Sequence, residues 1–187
     1  MAQKRKDWNG LISGFKARDL VFLDESGCNT DMTRRYAYSL GGSNAVDSAP
    51  LSKPKNTTIL SSIQLDGTLR YTTFSGGTTV ERFKRYLETD LLPHLNGNSV
   101  LIMDNMKLHH AKAVRNLLDS SGVRYIYLPP YSPDLNPIEK LWSKVKSFLR
   151  KFKARTLDAL PNAIQNAFHA VTVSDCSGWF RFCGYAL

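Results

Sequence analysis

The stretch Val123-Arg124-Tyr125-Ile126-Tyr127-Leu128-Pro129-Pro130-Tyr131-Ser132-Pro133-Asp134-Leu135-Asn136-Pro137-Ile138-Glu139 changes character twice. Val123 to Leu128 is rich in β-branched and aromatic residues, which favour a strand, and Pro129-Pro130 stops it. The prolines at 129, 130 and 133 fix φ and bar regular structure, so 129–137 reads as a rigid linker. A helix opens immediately afterwards. Ile138, Leu141, Trp142, Val145, Phe148, Leu149 and Phe152 recur at helical spacing as a buried stripe, with Lys140, Lys144, Lys146, Arg150, Lys151 and Lys153 off it.

Upstream, Ser99 to Met103 is a short apolar run of strand length that ends at Asp104, and His109 to Ser120 has helical spacing through Val114, Leu117 and Leu118 before Gly122. The order is therefore strand, helix, strand. Thr79 begins another helical pattern, with Val80, Phe83, Tyr86, Leu87 and Leu91 on one face, broken by Pro93 and Asn96-Gly97-Asn98. Earlier still, Leu20-Val21-Phe22-Leu23 is a buried strand with acids at its exit, Asp24-Glu25-Ser26-Gly27. Arg35 to Leu40 and Thr57 to Leu65 alternate and stop at Gly41-Gly42 and Asp66-Gly67, which predicts an antiparallel meander extended by Leu69 to Phe74. Gly42 to Asn56 reads as a surface loop, and a helix over about Leu157 to Val171 and an aromatic tail around Trp179, Phe180 and Phe182 finish the chain. The fold class is α/β: a mixed sheet of antiparallel meander plus parallel strands, flanked by helices.

At 187 residues and 42% hydrophobic side chains, the chain can bury one core, and one domain is expected: a basic lead-in over 1–18, then a domain over 19–187. A net charge of +9 repels itself without benefit unless the partner is anionic, so nucleic acid or an acidic membrane surface is expected. Apolar runs such as Val100 to Met103 fall well short of the roughly 20 residues that span a bilayer, and no signal-like stretch follows the first basic residues. The expectation is a soluble, cytoplasmic protein without a membrane partner. Cys28, Cys176 and Cys183 are an odd, sparse set without a Cys-x-x-Cys pair, which argues against a disulfide framework and a zinc knuckle.

In a mixed sheet the exits of neighbouring strands converge, so Asp24 and Asp104 meet at one edge if their strands are adjacent. Glu139, in the first turn after the rigid linker, can be delivered to the same place. Carboxylates brought together either repel, so that one keeps its proton, or share divalent cations. Hard ions such as Mg²⁺ prefer oxygen ligands and take further ones from a substrate phosphate. Two such ions about 3.5–4 Å apart support in-line displacement at phosphorus. Local alternatives stand beside this reading: an Asp at a strand end also forms turns, and Asn136-Pro137-Ile138-Glu139 also suits a capping box with Asn136 as N-cap. Glu25, next to Asp24 in an extended strand, is expected to point to the opposite face.

The stretch Tyr127 to Glu139 resembles the signature preceding the catalytic Glu of mariner-superfamily and related bacterial insertion-sequence transposases. Val21 to Gly27 is similar to that family's first catalytic strand, and Leu101-Ile102-Met103-Asp104-Asn105 with His109 to its second. The 34 residues between Asp104 and Glu139 match the family's usual spacing, and the similarity continues into the tail with Asp175, Trp179, Phe180 and Gly184-Tyr185. The resemblance implies a ribonuclease H-like DDE catalytic domain with Asp24, Asp104 and Glu139 as metal ligands, two Mg²⁺ or Mn²⁺ ions, and cut-and-paste transposition. Its partners would be transposon ends and a target, typically at TA, with a second copy of the chain, in a nucleoid-associated setting. Family members usually carry helix-turn-helix domains ahead of the catalytic domain, whereas some twenty residues precede Asp24 here, so an upstream partner or fusion is expected. Met106-Lys107-Leu108 also replaces the small residue often found after Asp-Asn.

Asn105, His109, Lys146 and Arg150 are the candidate DNA contacts. Lys146 and Arg150 lie seven and eleven residues after Glu139, on one helical stripe with Ser143. Asn105 otherwise reads as a turn residue, His109 as a polar residue opening a helix, and the lysines as a solvated face. Two rival functions remain open at this level: a non-catalytic DNA-binding or regulatory remnant, and a general nuclease of the same fold.

Overall fold

The computed structural model describes residues 2–34, 36–48, 50 and 54–185. Five strands form one sheet in the order β3-β2-β1-β4-β5: β1 is Leu20–Cys28, β2 Thr57–Gln64, β3 Leu69–Ser75, β4 Val100–Met103 and β5 Arg124–Tyr127. β1, β2 and β3 run antiparallel, and β4 and β5 lie parallel to β1. This is the mixed ribonuclease H-like sheet that the sequence predicts. The β2–β3 turn is closed by the Asp66 carboxylate, which accepts the Thr68 N–H at 2.8 Å, and by Gly67 at φ +88°, a conformation that suits glycine.

Side-chain alternation sorts the sheet into two cores. Leu20 and Phe22 of β1, Ile59 and Ile63 of β2, and Val100 and Ile102 of β4 face one side. There they meet Leu141, Trp142, Val145 and Leu149 of α4 (Ile138–Phe152), Ile164 and Phe168 of α5 (Leu160–His169), and Phe180 of α6 (Val173–Phe182). Val21 and Leu23, Leu60, and Leu101 and Met103 face the other, against Phe83 and Tyr86 of α2 (Val80–Tyr86) and Val114 and Leu118 of α3 (Lys112–Ser121). The site is framed by unequal strand lengths: β4 pairs with Leu20–Leu23 and then ends, while β1 continues through Asp24 beside β2.

Several boundaries differ from the sequence reading, each for a physical reason. β1 does not stop at Leu23, because β2 supplies backbone partners as far as Cys28. The alternating segment ending at Leu40 is not a strand: Tyr36, Tyr38 and Leu40 are 90, 106 and 87% exposed without regular structure, and Arg35 lies outside the described residues. Alternation gives a preference for extended structure only, and the antiparallel partner that β1 takes along Val21–Cys28 is β2, so this segment is passed over in the meander. The basic lead-in contains a helix, α1 (Ala2–Ile12), whose Trp8 enters the first core. The aromatic tail is the helix α6, opened by a reciprocal Thr172–Asp175 capping box. Phe152, expected in the buried stripe, is exposed at the end of α4.

Cys28, Cys176 and Cys183 are buried and form no disulfide. No helix among the described residues is long and apolar enough to cross a membrane.

Candidate active site

Asp24 projects from β1 on the α4 side of the sheet and is 8% exposed. One carboxylate oxygen, Oδ1, accepts the Glu25 N–H at 2.7 Å, and Oδ2 accepts the Trp142 indole N–H at 3.2 Å. Burial pushes its pKa up to about 7, and the charges of Asp104 and Glu139 add to the rise. Asp24 is thus short of positive charge.

Asp104 stands directly after β4, beside the open continuation of β1. Its Oδ1 accepts the Met106 N–H at 3.0 Å and lies 2.8 Å from His109 Nδ1. Burial works against its charged form, but the bonds from His109 and Met106 outweigh that and hold its pKa below the usual carboxylate value. Glu139 is exposed in the first turn of α4, its backbone N–H bonded to the Asn136 carbonyl at 3.1 Å. The capping-box alternative is corrected here. Pro137 occupies the cap position, and among the described residues no side chain caps the helix and the buried Asn136 Oδ1 has no hydrogen-bond partner. The Glu139 carboxylate is left facing the cavity.

Asp24, Asp104 and Glu139 line one cavity of about 680 Å³, shared with Glu25, Asn105, Asn136 and the 128–133 segment. No group of three His, Cys, Asp or Glu side chains among the described residues is already gathered at ion-holding distance. The donor set nevertheless fits a hard cation: carboxylate oxygens only, one of them destabilised by the other two, in a cavity open to the waters and substrate phosphates that Mg²⁺ uses as its remaining ligands.

His109 is placed differently from expectation. It is fully buried, so it has no surface to offer DNA, and the expected contact is corrected. Its ring lies 4.6 Å from Phe83 between two carboxylates, with Nδ1 toward Asp104 and Nε2 3.4 Å from Glu25 Oε2. Burial disfavours the imidazolium, but Asp104 and Glu25 together overcome it and push the pKa up to about 9. Glu25, turned to the opposite sheet face as its neighbour position requires, therefore belongs to the support of Asp104. Asn105 is exposed at the cavity; its amide donates to the Leu128 carbonyl and its Oδ1 lies 3.0 Å from His110 Nε2. It ties the turn after β4 to the linker.

Lys146 and Arg150 do not line the carboxylate cavity. They line a second one of about 450 Å³ beside the end of β1, with Gly27, Asn29, Asp31 and Thr33, and take part in no ion pair among the described residues. Ser143, expected on their stripe, faces a third groove with Lys140 and Lys144. Sequence reasoning missed Glu25–His109 and the Trp142 contact. The available signal for Trp142 was its position one turn from Glu139, since a buried indole N–H needs an acceptor.

Residues 19–161 match the family described as DDE superfamily endonuclease. The Tc1 transposase of Caenorhabditis elegans is 31% identical over 97 residues, covering 50% of this chain and 36% of that protein. The Tcb2 transposase of Caenorhabditis briggsae is 31% identical over 75 residues, covering 40% and 28%. The chain therefore matches about a third of the length of these relatives. Among solved structures, a pre-cleavage Mos1 transpososome superposes with a TM-score of 0.82 at 19% identity, over 97% of this chain and 58% of that one. A Mos1 paired-end complex with Mn gives 0.80 at 20%, over 95% and 57%. At such identity these structures speak for the fold.

Proposed function

The chain belongs to the DDE superfamily of endonucleases, and from that premise we propose that it is the catalytic domain of a mariner-like transposase, cutting DNA strands and joining them in a divalent-metal-dependent reaction. One observation carries the reading: three carboxylates far apart in sequence, Asp24, Asp104 and Glu139, line a single cavity in which Asp24 feels the charge of the other two. The similarity to the Tc1 and Tcb2 transposases and the Mos1 fold support it.

Asp24, Asp104 and Glu139 would hold two Mg²⁺ or Mn²⁺ ions, which when bound supply activation of an attacking oxygen and stabilisation of a leaving one. The chain's own residues prepare this. Trp142 and the Glu25 amide fix the Asp24 carboxylate, and His109, held by Glu25, fixes that of Asp104. Glu139 is exposed, accepts no side-chain bond among the described residues, and is the carboxylate most able to move with substrate. Lys146 and Arg150, about 10 and 16 Å along α4 from Glu139 at 1.5 Å per residue, would take backbone phosphates, with Asn105 at the cavity edge. The proposed partners are transposon ends and a TA-type target, a second copy of the chain, and a helix-turn-helix segment for end recognition; the proposed setting is the nucleoid. Residues 19–187 are the proposed catalytic unit.

The test is nicking of supercoiled DNA with Mn²⁺. Asp24→Ala, Asp104→Ala and Glu139→Ala should each abolish nicking while retaining salt-sensitive DNA binding. Nicking retained in all three variants would defeat the assignment.

A further inference from the structure

Two residues other than glycine have positive φ among the described residues, Lys153 at +54° and Tyr131 at +55°. Lys153 is accounted for as the left-handed cap of α4. Tyr131 has no such role. It sits in the rigid linker, where Gly or Asn would adopt the left-handed conformation at less cost, and its ring is 88% exposed. The strain and the exposed apolar surface gain no packing in return. What the conformation does achieve is placement: Tyr131 lines the same cavity as Asp24, Asp104 and Glu139, flanked by Pro129, Pro130 and Pro133, which keep the wall stiff.

We infer that Tyr131 is a substrate-contacting residue, a stacking platform for a nucleobase next to the phosphate that enters the carboxylate cavity. The inference rests on the proposed function, since it takes the occupant of that cavity to be a phosphodiester. A nucleobase is the planar group joined to that phosphate through one sugar, and it is the part of DNA that an exposed ring recognises without regard to sequence. Drawing one phosphate of a duplex into a concave site disturbs stacking at that step, and an aromatic face at the rim offsets the loss. Strain held at a cavity wall is where such pre-positioning is expected. The ring, not the hydroxyl, makes the contact.

The experiment uses the full chain with Ca²⁺ and two synthetic duplexes, one fully paired and one with a central mismatched bubble carrying 2-aminopurine. Wild type and Tyr131→Phe should bind the bubble duplex about tenfold more tightly than Tyr131→Ala, the scale of a single base–aromatic stacking interaction, and should quench its fluorescence. Tyr131→Gly, which relieves the backbone strain but lacks the ring, should behave like the alanine variant. On fully paired DNA, where the base must first leave its own stack, the four should differ much less than on the bubble duplex. Quenching by the alanine or glycine variant equal to wild type would overturn the inference, as would equal weakening on both duplexes, which marks a structural role for the loop. Altered self-association with unchanged fluorescence would overturn it in favour of a protein contact. Absence of DNA binding by the wild-type chain would overturn it together with the proposed function. Mn²⁺ nicking retained in all three carboxylate variants would remove the proposed catalytic assignment, while the bubble-duplex result would still decide the stacking contact.

Discussion

Asp24 is the side chain on which pH acts most directly. Its folded-state pKa of about 7 lies above the ordinary 3.8, so the folded chain holds that proton more tightly than the unfolded chain does. The resulting stabilisation is present in full below the ordinary carboxylate value and is lost as pH rises through about 7. At 1.36 kcal/mol per tenfold change in proton affinity, the rise from 3.8 to about 7 bounds the effect at about 4 kcal/mol. Metal-free wild type should therefore lose stability between about pH 4 and 7 relative to Asp24→Asn, measured by denaturant unfolding at each pH; parallel curves would sink the assignment. His109 changes stability in the same direction as its own pKa, about 9, is passed, which is why the comparison with Asp24→Asn matters. The three cavity carboxylates each stand where a strong local pattern ends or begins, but those positions equally suit turn formers and a helix cap, and it was the longer resemblance over Tyr127 to Glu139 that singled them out. Glu25–His109 was not legible in the sequence. That pair depends on which face of the sheet α2 and α3 cover, a fact of packing that no local spacing encodes.

At the scale of elements, α4 performs two tasks with one stripe: Leu141, Val145 and Leu149 fill the core, and Trp142 does so while holding Asp24. Trp142→Phe should keep the aromatic filling and remove the donor. Loss of a bond to a buried carboxylate costs about 1.5–3 kcal/mol when it is charged, so the variant should fold yet require higher pH for Mn²⁺ binding, because the indole bond is one of the contacts that lowers the Asp24 pKa. Calorimetric titration across pH reads this, and an unchanged pH midpoint would show that the contact plays no part in tuning the carboxylate. Elements with a strong period were legible, α4 above all. The segment ending at Leu40 was misread because alternation reports a preference for extended structure, whereas a strand also needs a neighbour. The lead-in was misread for the opposite reason: α1 has little amphipathic pattern, and it is held by Trp8 in the core, Ile12 partly packed against it and Arg5 paired with Asp134.

Across the whole molecule, α1 lies outside the matched residues yet touches the linker that carries Glu139 into place. Arg5 pairs with Asp134, Trp8 packs in the same core as Tyr185, and the Tyr185 hydroxyl donates to the Leu135 carbonyl. Trp8→Ala should cost about 3 kcal/mol, the low end for a large aromatic removed from a core, and should raise hydrogen exchange in 129–137; unchanged exchange there would separate α1 from the site. The net charge of +9 argues at the same scale. If that charge serves DNA, its useful part must lie along the path of the backbone, and Lys146 and Arg150 are the cations that line a cavity beside β1 without an ion pair among the described residues. Removing one cation that neutralises a phosphate should flatten the dependence of log affinity on log salt by about 0.9 for duplex DNA. Lys146→Ala combined with Arg150→Ala should therefore reduce that slope by about 1.8, whereas Lys112→Ala, exposed on α3 across the sheet, should leave it unchanged. Equal slopes for the double variant and wild type would move the DNA path away from α4, and a comparable effect at Lys112 would mean that diffuse charge, not a track, binds the polymer.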